Sequence, residues 1–253
     1  MTAASPTPDW NLSALNVLRQ SLYADHDIDD LGGKTGSGFG RGLRGVNAGA
    51  LPVGRVKRSE VFALAAEPQI NTYTVCAAAL AWGGMNMRFH KRFFDLADEG
   101  WLQVADDIRA GAINRAEAYD ALSDLRHRDK LFGVGPAYFT KLIYFLTPRA
   151  RERVAPGYIM DQWAGCSINL LVGAEIVRMD VIRKWRRGEG EPHHTFIVSD
   201  ANTGSQYESF CGAMDALSEE LGLSPDETDR ALLANGGKDK SDWRQYVIDN
   251  RAI

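Results

Sequence analysis

Leucines at positions 12, 15, 18 and 22 recur at helical spacing and predict a short helix over residues 9–23. The pattern then disappears. Residues 31–58 hold nine glycines, six lysines or arginines and no acid, which predicts a flexible or irregular basic arm. From Ser59, a predicted N-cap, periodicity returns with a helix over 60–66. Residues 71–82 are apolar on every side and predict a buried helix closed by Gly83-Gly84. Amphipathic helices follow over 87–97, 101–110 and 115–128. A glycine turn at 133–135 separates the last of these from a helix opened by Pro136 and running to 146. Residues 164–187 read as helical and increasingly basic, and 195–199 as one short strand or an extended link. Residues 205–221 form a helix stopped by Gly222. Ser224-Pro225-Asp226-Glu227 is a capping box for 226–234, and 241–250 closes the series. No repeat is present. The pattern predicts a mainly α protein: an N-terminal helix and glycine-rich arm over 1–58, then a helical body over 59–253 with a hairpin at 115–146.

Composition changes this picture little. The 253 residues are 45% hydrophobic and 25% charged, an ordinary globular balance, with a net charge of -4. An acidic chain argues against an extended nucleic-acid surface, though not against a local basic face. Cys76, Cys166 and Cys211 are odd in number and far apart, so they offer neither a disulfide framework nor close metal-ligand spacing. They suit a reducing cytoplasm. No apolar run reaches the roughly 18 residues of a membrane span, and residues 1–9 lack the features of a signal peptide, so a cytoplasmic protein without a membrane partner is expected.

Several motifs bear on chemistry. Gly33-Lys34-Thr35 ends like a phosphate-binding loop, but Ile28 replaces its leading glycine. Gly40, Gly42 and Gly45 spell a dinucleotide fingerprint with no strand predicted before it. Both follow from glycine richness. His193-His194 is adjacent rather than at ligand spacing. The hairpin carries more. In Leu131-Phe132-Gly133-Val134-Gly135-Pro136 the glycines permit positive φ and a close backbone approach, and Pro136 suits a first helical turn. The free N–H groups there suit a phosphate, which makes Gly133, Val134 and Gly135 the candidate backbone grip. Lys141 lies on the helix that follows, and Asp161 lies twenty residues on, in Tyr158-Ile159-Met160-Asp161-Gln162-Trp163.

These residues resemble the helix-hairpin-helix DNA glycosylase superfamily, and within it the 8-oxoguanine DNA glycosylases. Members share a Gly-Val-Gly hairpin, a lysine on the next helix and an aspartate about twenty residues later. Residues 133–161 look closest to bacterial proteins with the 8-oxoguanine glycosylase fold, some similar to accessory proteins of antiphage operons. In the enzymes the lysine lies two residues after the second glycine, where this chain has Ala137. Lys141 lies four residues later, on the same helix face.

The resemblance implies excision of an oxidised or otherwise modified guanine from DNA, with Lys141 and Asp161 as catalytic residues. A carboxylate can stabilise the positive charge that builds on the sugar, and an amine can attack its C1′. For attack, a lysine with an ordinary pKa near 10.4 must lose its proton near neutrality, which costs about 4 kcal/mol and demands burial. The alternatives are a phosphate or salt-bridge contact for Lys141 and a helix cap for Asp161. Trp82, Phe132, Tyr138, Gln162 and Trp163 are candidate walls for an extruded base, with core packing the alternative for the aromatic four. Arg178, Arg183, Lys184, Arg186 and Arg187 either face phosphates or end a helix. No cofactor is implied, since scattered cysteines cannot hold the iron–sulfur cluster of some relatives. The rival function is a catalytically inactive module that binds nucleic acid or a modified guanine nucleobase, with operon partner proteins in antiphage defence.

Overall fold

The computed structural model describes residues 8–22, 31–96, 100–149, 154–185, 192–233 and 241–251. Among them are twelve α-helices and two short two-stranded sheets, a mainly α fold as the hydrophobic pattern predicts. No described helix is long and apolar enough to cross a membrane. The chain divides into two compact units, Asp27–Ile159 and Met1–His26 with Met160–Ile253.

The Asp27–Ile159 unit is organised around one helix. It contains β1 (Leu31–Thr35), α2 (Gly36–Gly40), β2 (Arg55–Lys57), α3 (Arg58–Ala66), α4 (Thr72–Trp82), α5 (Met87–Asp95), α6 (Trp101–Ala110), α7 (Arg115–His127) and α8 (Pro136–Leu146). Every residue of α4 except Tyr73 is buried, as its all-round apolar sequence requires. Elements α2, α3, α6, α8, β1 and β2 pack around it. Asn71 caps α4 by accepting from the Thr74 N–H at 3.0 Å. Helix α3 begins at Arg58, two residues earlier than a Ser59 cap predicts, and the Glu60 carboxylate accepts from the Lys57 N–H at 2.7 Å.

The stretch expected as a flexible or irregular arm is built into this unit. Strands β1 and β2 pair antiparallel, and Arg55 Nε donates to the Gly32 carbonyl at 2.6 Å. The glycines serve close approach rather than freedom. A Cβ on Gly32 would run into the backbone of Trp82, and one on Gly33 would stand 2.6 Å from Gly84 Cα. Composition signals small residues but not what lies against them.

The other unit contains α1 (Leu12–Leu22), α9 (Gln162–Val172), β3 (Met179–Lys184), β4 (His193–Val198), α10 (Gly204–Leu221), α11 (Pro225–Leu233) and α12 (Asp242–Asn250). Here α9 is the hub, packed by α1, α10, α11, α12 and both strands. The predicted helix over 164–187 is corrected. It stops at Gly173, which takes the left-handed conformation at φ 69°, and the chain continues as an antiparallel ribbon with Met179 opposite Val198 and Lys184 opposite His193. Phe196 and Val198 are buried on one ribbon face, while Ile182 and Ile197 are exposed on the other.

Candidate functional site

The hairpin forms where the sequence puts it. Leu131 and Val134 are fully buried, and the Val134 N–H donates to the Leu131 carbonyl at 3.1 Å, closing the turn. Gly133 supplies the left-handed residue at φ 72°, and Gly135 is the N-cap of α8. Tyr119 and Phe139 join the flanking helices α7 and α8, ring edge to face at 4.9 Å. Among the described residues no hydrogen bond uses the N–H of Gly135 or Ala137, and both residues are partly exposed. The helix start therefore offers the donors and the dipole an anion needs. Gly133 and Gly135 sit on this partly exposed rim, whereas the Val134 side chain is a buried anchor.

Sequence reasoning missed the neighbour of this turn. Helix α5, read only as amphipathic, lies against the hairpin. Phe89 meets Phe132 edge to face at 5.6 Å, and the Arg92 guanidinium carbon sits 3.8 Å from the Phe132 ring centre. A Cβ on Gly133 would come within 2.6 Å of Phe89 Cβ. Arg88, Lys91, Arg92, Met87 and Phe89 are all exposed. Residues 124–130 add Arg126, Arg128 and Lys130. Together the two segments carry six Lys or Arg against Asp95, Asp124 and Asp129, a local positive balance on a chain of net charge -4. The signal that could have found α5 is its cationic face with Met87 and Phe89 set into it.

Lys141 is only 8% exposed. Its stem packs where a side chain on Gly83 would stand, 2.6 Å from Lys141 Cδ. Its Nζ turns back along α8, donates to the Ala137 carbonyl at 2.5 Å and lies 5.5 Å from the Tyr138 ring centre. Burial pushes the Tyr138 phenol above its ordinary pKa. Trp82, next to Gly83, is 8% exposed, with Arg58 stacked 4.8 Å from its ring and Phe145 edge-on at 5.1 Å. Arg58 also donates to the Tyr144 hydroxyl. Trp82 is therefore an enclosed core residue.

Asp161, Gln162 and Trp163 belong to the other unit. Asp161 caps α9, with Oδ1 accepting from the Trp163 and Ala164 N–H groups at 2.8 and 3.1 Å. The Gln162 amide, oriented so that both ends are satisfied, donates to the Phe196 carbonyl at 2.7 Å and accepts from Trp163 Nε1 at 3.0 Å. The Arg244 guanidinium lies 4.0 Å above the Trp163 ring. Cys166, one turn along α9, has its thiol pushed up to about 11, mainly by burial, with the Arg251 charge acting the other way and Asp161 adding to the rise. Arg178 and Arg183 are exposed at the β3 strand instead of on a helix end, while Arg186 and Arg187 lie outside the described residues.

The predicted residues thus form two sets. Gly133, Val134, Gly135, Phe132, Tyr138, Lys141 and Trp82 surround the start of α8 and its neighbours in one unit. Asp161, Gln162 and Trp163 open α9 in the other. Comparison with protein families matches residues 40–233 to a family described as Putative 8-oxoguanine DNA glycosylase OGG-like protein. The match takes in the hairpin, α5, Lys141 and Asp161, and leaves out α1 and α12. Comparison with curated proteins and with solved structures gives no match.

Proposed function

Because this chain belongs to the OGG-like family of 8-oxoguanine DNA glycosylase-type proteins, we propose that it excises an oxidised or otherwise modified guanine from DNA, with Lys141 and Asp161 as catalytic residues. The observation that carries the reading is the burial of Lys141 on the helix that the hairpin opens. A buried amine one turn from a phosphate-ready helix start puts on one helix the two things a glycosylase needs, a grip on the backbone and a nucleophile.

In this reading the hairpin N–H groups and the cations of α5 hold the phosphates, and the damaged nucleotide leaves the stack. The Lys141 amine gives its electron pair to C1′ as the C1′–N9 pair departs with the base, which takes up a proton. The Asp161 carboxylate offsets the positive charge on the sugar while that bond breaks. Loss of the remaining amine proton and ring opening give a Schiff base, which borohydride reduces to a stable adduct. Phe132, Phe89 and Tyr138 are the partly exposed aromatic faces available to displaced bases.

The test is base release from a duplex carrying 8-oxoguanine, with borohydride trapping on the same substrate. Wild type is expected to release the base and to cross-link, and Lys141→Gln to lose the cross-link while remaining folded. Absence of base release by wild type from any modified guanine duplex overturns the reading. One observation favours a second reading. Lys141 stands a helical turn beyond the usual lysine position and already donates to the Ala137 carbonyl. A module that binds nucleic acid or a modified guanine without cleaving it, as an accessory in antiphage defence, retains duplex affinity in Lys141→Gln and never forms product.

A further inference from the structure

Helices α1 and α12 lie outside the stretch that matches the family, yet both pack on α9, the helix that Asp161 caps. The anchor is Trp243. Its ring is buried and its Nε1–H donates to Ser167 Oγ on α9 at 3.1 Å. With Trp243 fixed, the next residue projects over the start of α9. The Arg244 guanidinium carbon lies over the Trp163 ring, 4.0 Å from its centre. Arg251, at the end of α12, reaches the same ring. Its guanidinium carbon is 4.4 Å from the Phe196 ring and 5.8 Å from Trp163.

Two guanidiniums therefore meet at Trp163, which follows Gln162 and the Asp161 carboxylate, and Arg251 also lies on Phe196. The Arg251 charge registers on Arg244. Burial and the Arg251 charge both push the Arg244 pKa down, and Asp161 alone holds it up. Asp161 is itself committed to capping α9 through Oδ1. Moreover, Arg244 Nη1 is sealed from solvent and has no hydrogen-bond partner among the described residues. A guanidinium is a fork of fixed donors, and a buried donor of this kind is rarely left unanswered. The surplus of positive charge and the idle donor both ask for an oxyanion.

We propose that Arg244 and Arg251 form an anion subsite beside Asp161, and that its ligand is a backbone phosphate next to the nucleotide held at that carboxylate. The phosphate part of this assignment rests on the DNA reading above; the anion subsite does not. Trp163 covers one face of the Arg244 guanidinium, so the oxyanion meets it edge-on, in the plane of its N–H groups, where paired donation is strongest. A turn about the last side-chain torsions brings Nη1 to that edge. Arg251 then closes on the same oxygens, with Phe196 as the platform for its guanidinium. The C-terminal helix acts in this way as an added clamp on the family's aspartate.

The experiment uses the full chain as wild type, Arg244→Gln, Arg251→Gln and the double variant, each checked for wild-type helix content by circular dichroism. Pyrophosphate is titrated against thermal unfolding, and affinity for a duplex containing 8-oxoguanine is followed from low to high salt. Wild type is expected to gain stability with pyrophosphate and the double variant to gain none. The slope of log affinity against log salt is expected to shrink by about 0.9 for each arginine removed. Arg251 lies past the end of α12, so Arg251→Gln keeps the test open should Arg244→Gln unfold. If wild type responds to pyrophosphate through these arginines but binds no duplex, the subsite stands and the DNA reading falls. An equal pyrophosphate response and an unchanged salt slope in the double variant overturn the subsite and leave the arginines as clips on Trp163 and Phe196.

Discussion

Asp161 caps α9 and is proposed to act in catalysis, and one pair of substitutions separates the two. Its Oδ1 accepts two N–H bonds at the start of α9, and its charge faces the positive end of the same helix. Asparagine caps a helix about as well as aspartate, so Asp161→Asn keeps the two N–H bonds and loses the charge, a cost of about 0.3–1 kcal/mol. Asp161→Ala loses the cap as well, which costs about 1 kcal/mol more. A loss of 1 kcal/mol lowers the unfolding midpoint by about 2–4 °C in a protein of this size. The expected order is wild type, then Asp161→Asn, then Asp161→Ala, read by calorimetry or urea denaturation. Catalysis follows a different order. If the carboxylate offsets charge on the sugar, Asp161→Asn and Asp161→Ala both lose about 100- to 10,000-fold in single-turnover base release. Activity then tracks charge while stability tracks the cap. An Asp161→Asn protein that cleaves at the wild-type rate refutes the catalytic role. One that is as unstable as Asp161→Ala refutes the capping argument.

Two further outcomes follow from geometry and burial. Gly133→Ala places a side chain at φ 72° and 2.6 Å from Phe89 Cβ, so it is expected to cost about 1–3 kcal/mol from backbone strain before any movement of Phe89 is counted. Gly135→Ala, at φ -95°, carries no such backbone penalty, and equal losses in urea denaturation would remove the case for a left-handed residue at the turn. The Cys166 thiol is pushed from 9.0 up to about 11, chiefly by burial, so the folded chain keeps that proton where the unfolded chain loses it. Its contribution is whole below about pH 9 and declines as pH rises toward about 11. Across this window the stability of Cys166→Ala is expected to fall less steeply than that of wild type. Parallel curves would show that burial does not govern the thiol.

The sequence by itself determined what near neighbours along the chain determine. Helical spacing gave α1, α4 and α10 to within a few residues. The order Gly133-Val134-Gly135-Pro136 fixed the hairpin, because a left-handed residue and a missing N–H are local demands. Asp161 was legible as both cap and candidate acid. Other features depended on residues distant in the chain. Glycines at 32 and 33 looked like freedom until the backbones of Trp82 and Gly84 were found against them. Residues 173–187 looked helical because the strand that pairs with β3, His193–Val198, lies outside that stretch. Helix α5 joined the hairpin only when Phe89 and Arg92 met Phe132, and α12 joined the start of α9 only when Arg244 met Trp163. A pattern along the chain records which face of an element is apolar. Which surface that face meets, and which charges gather at its edge, is set by packing between segments far apart in sequence, and only the tertiary structure decides it.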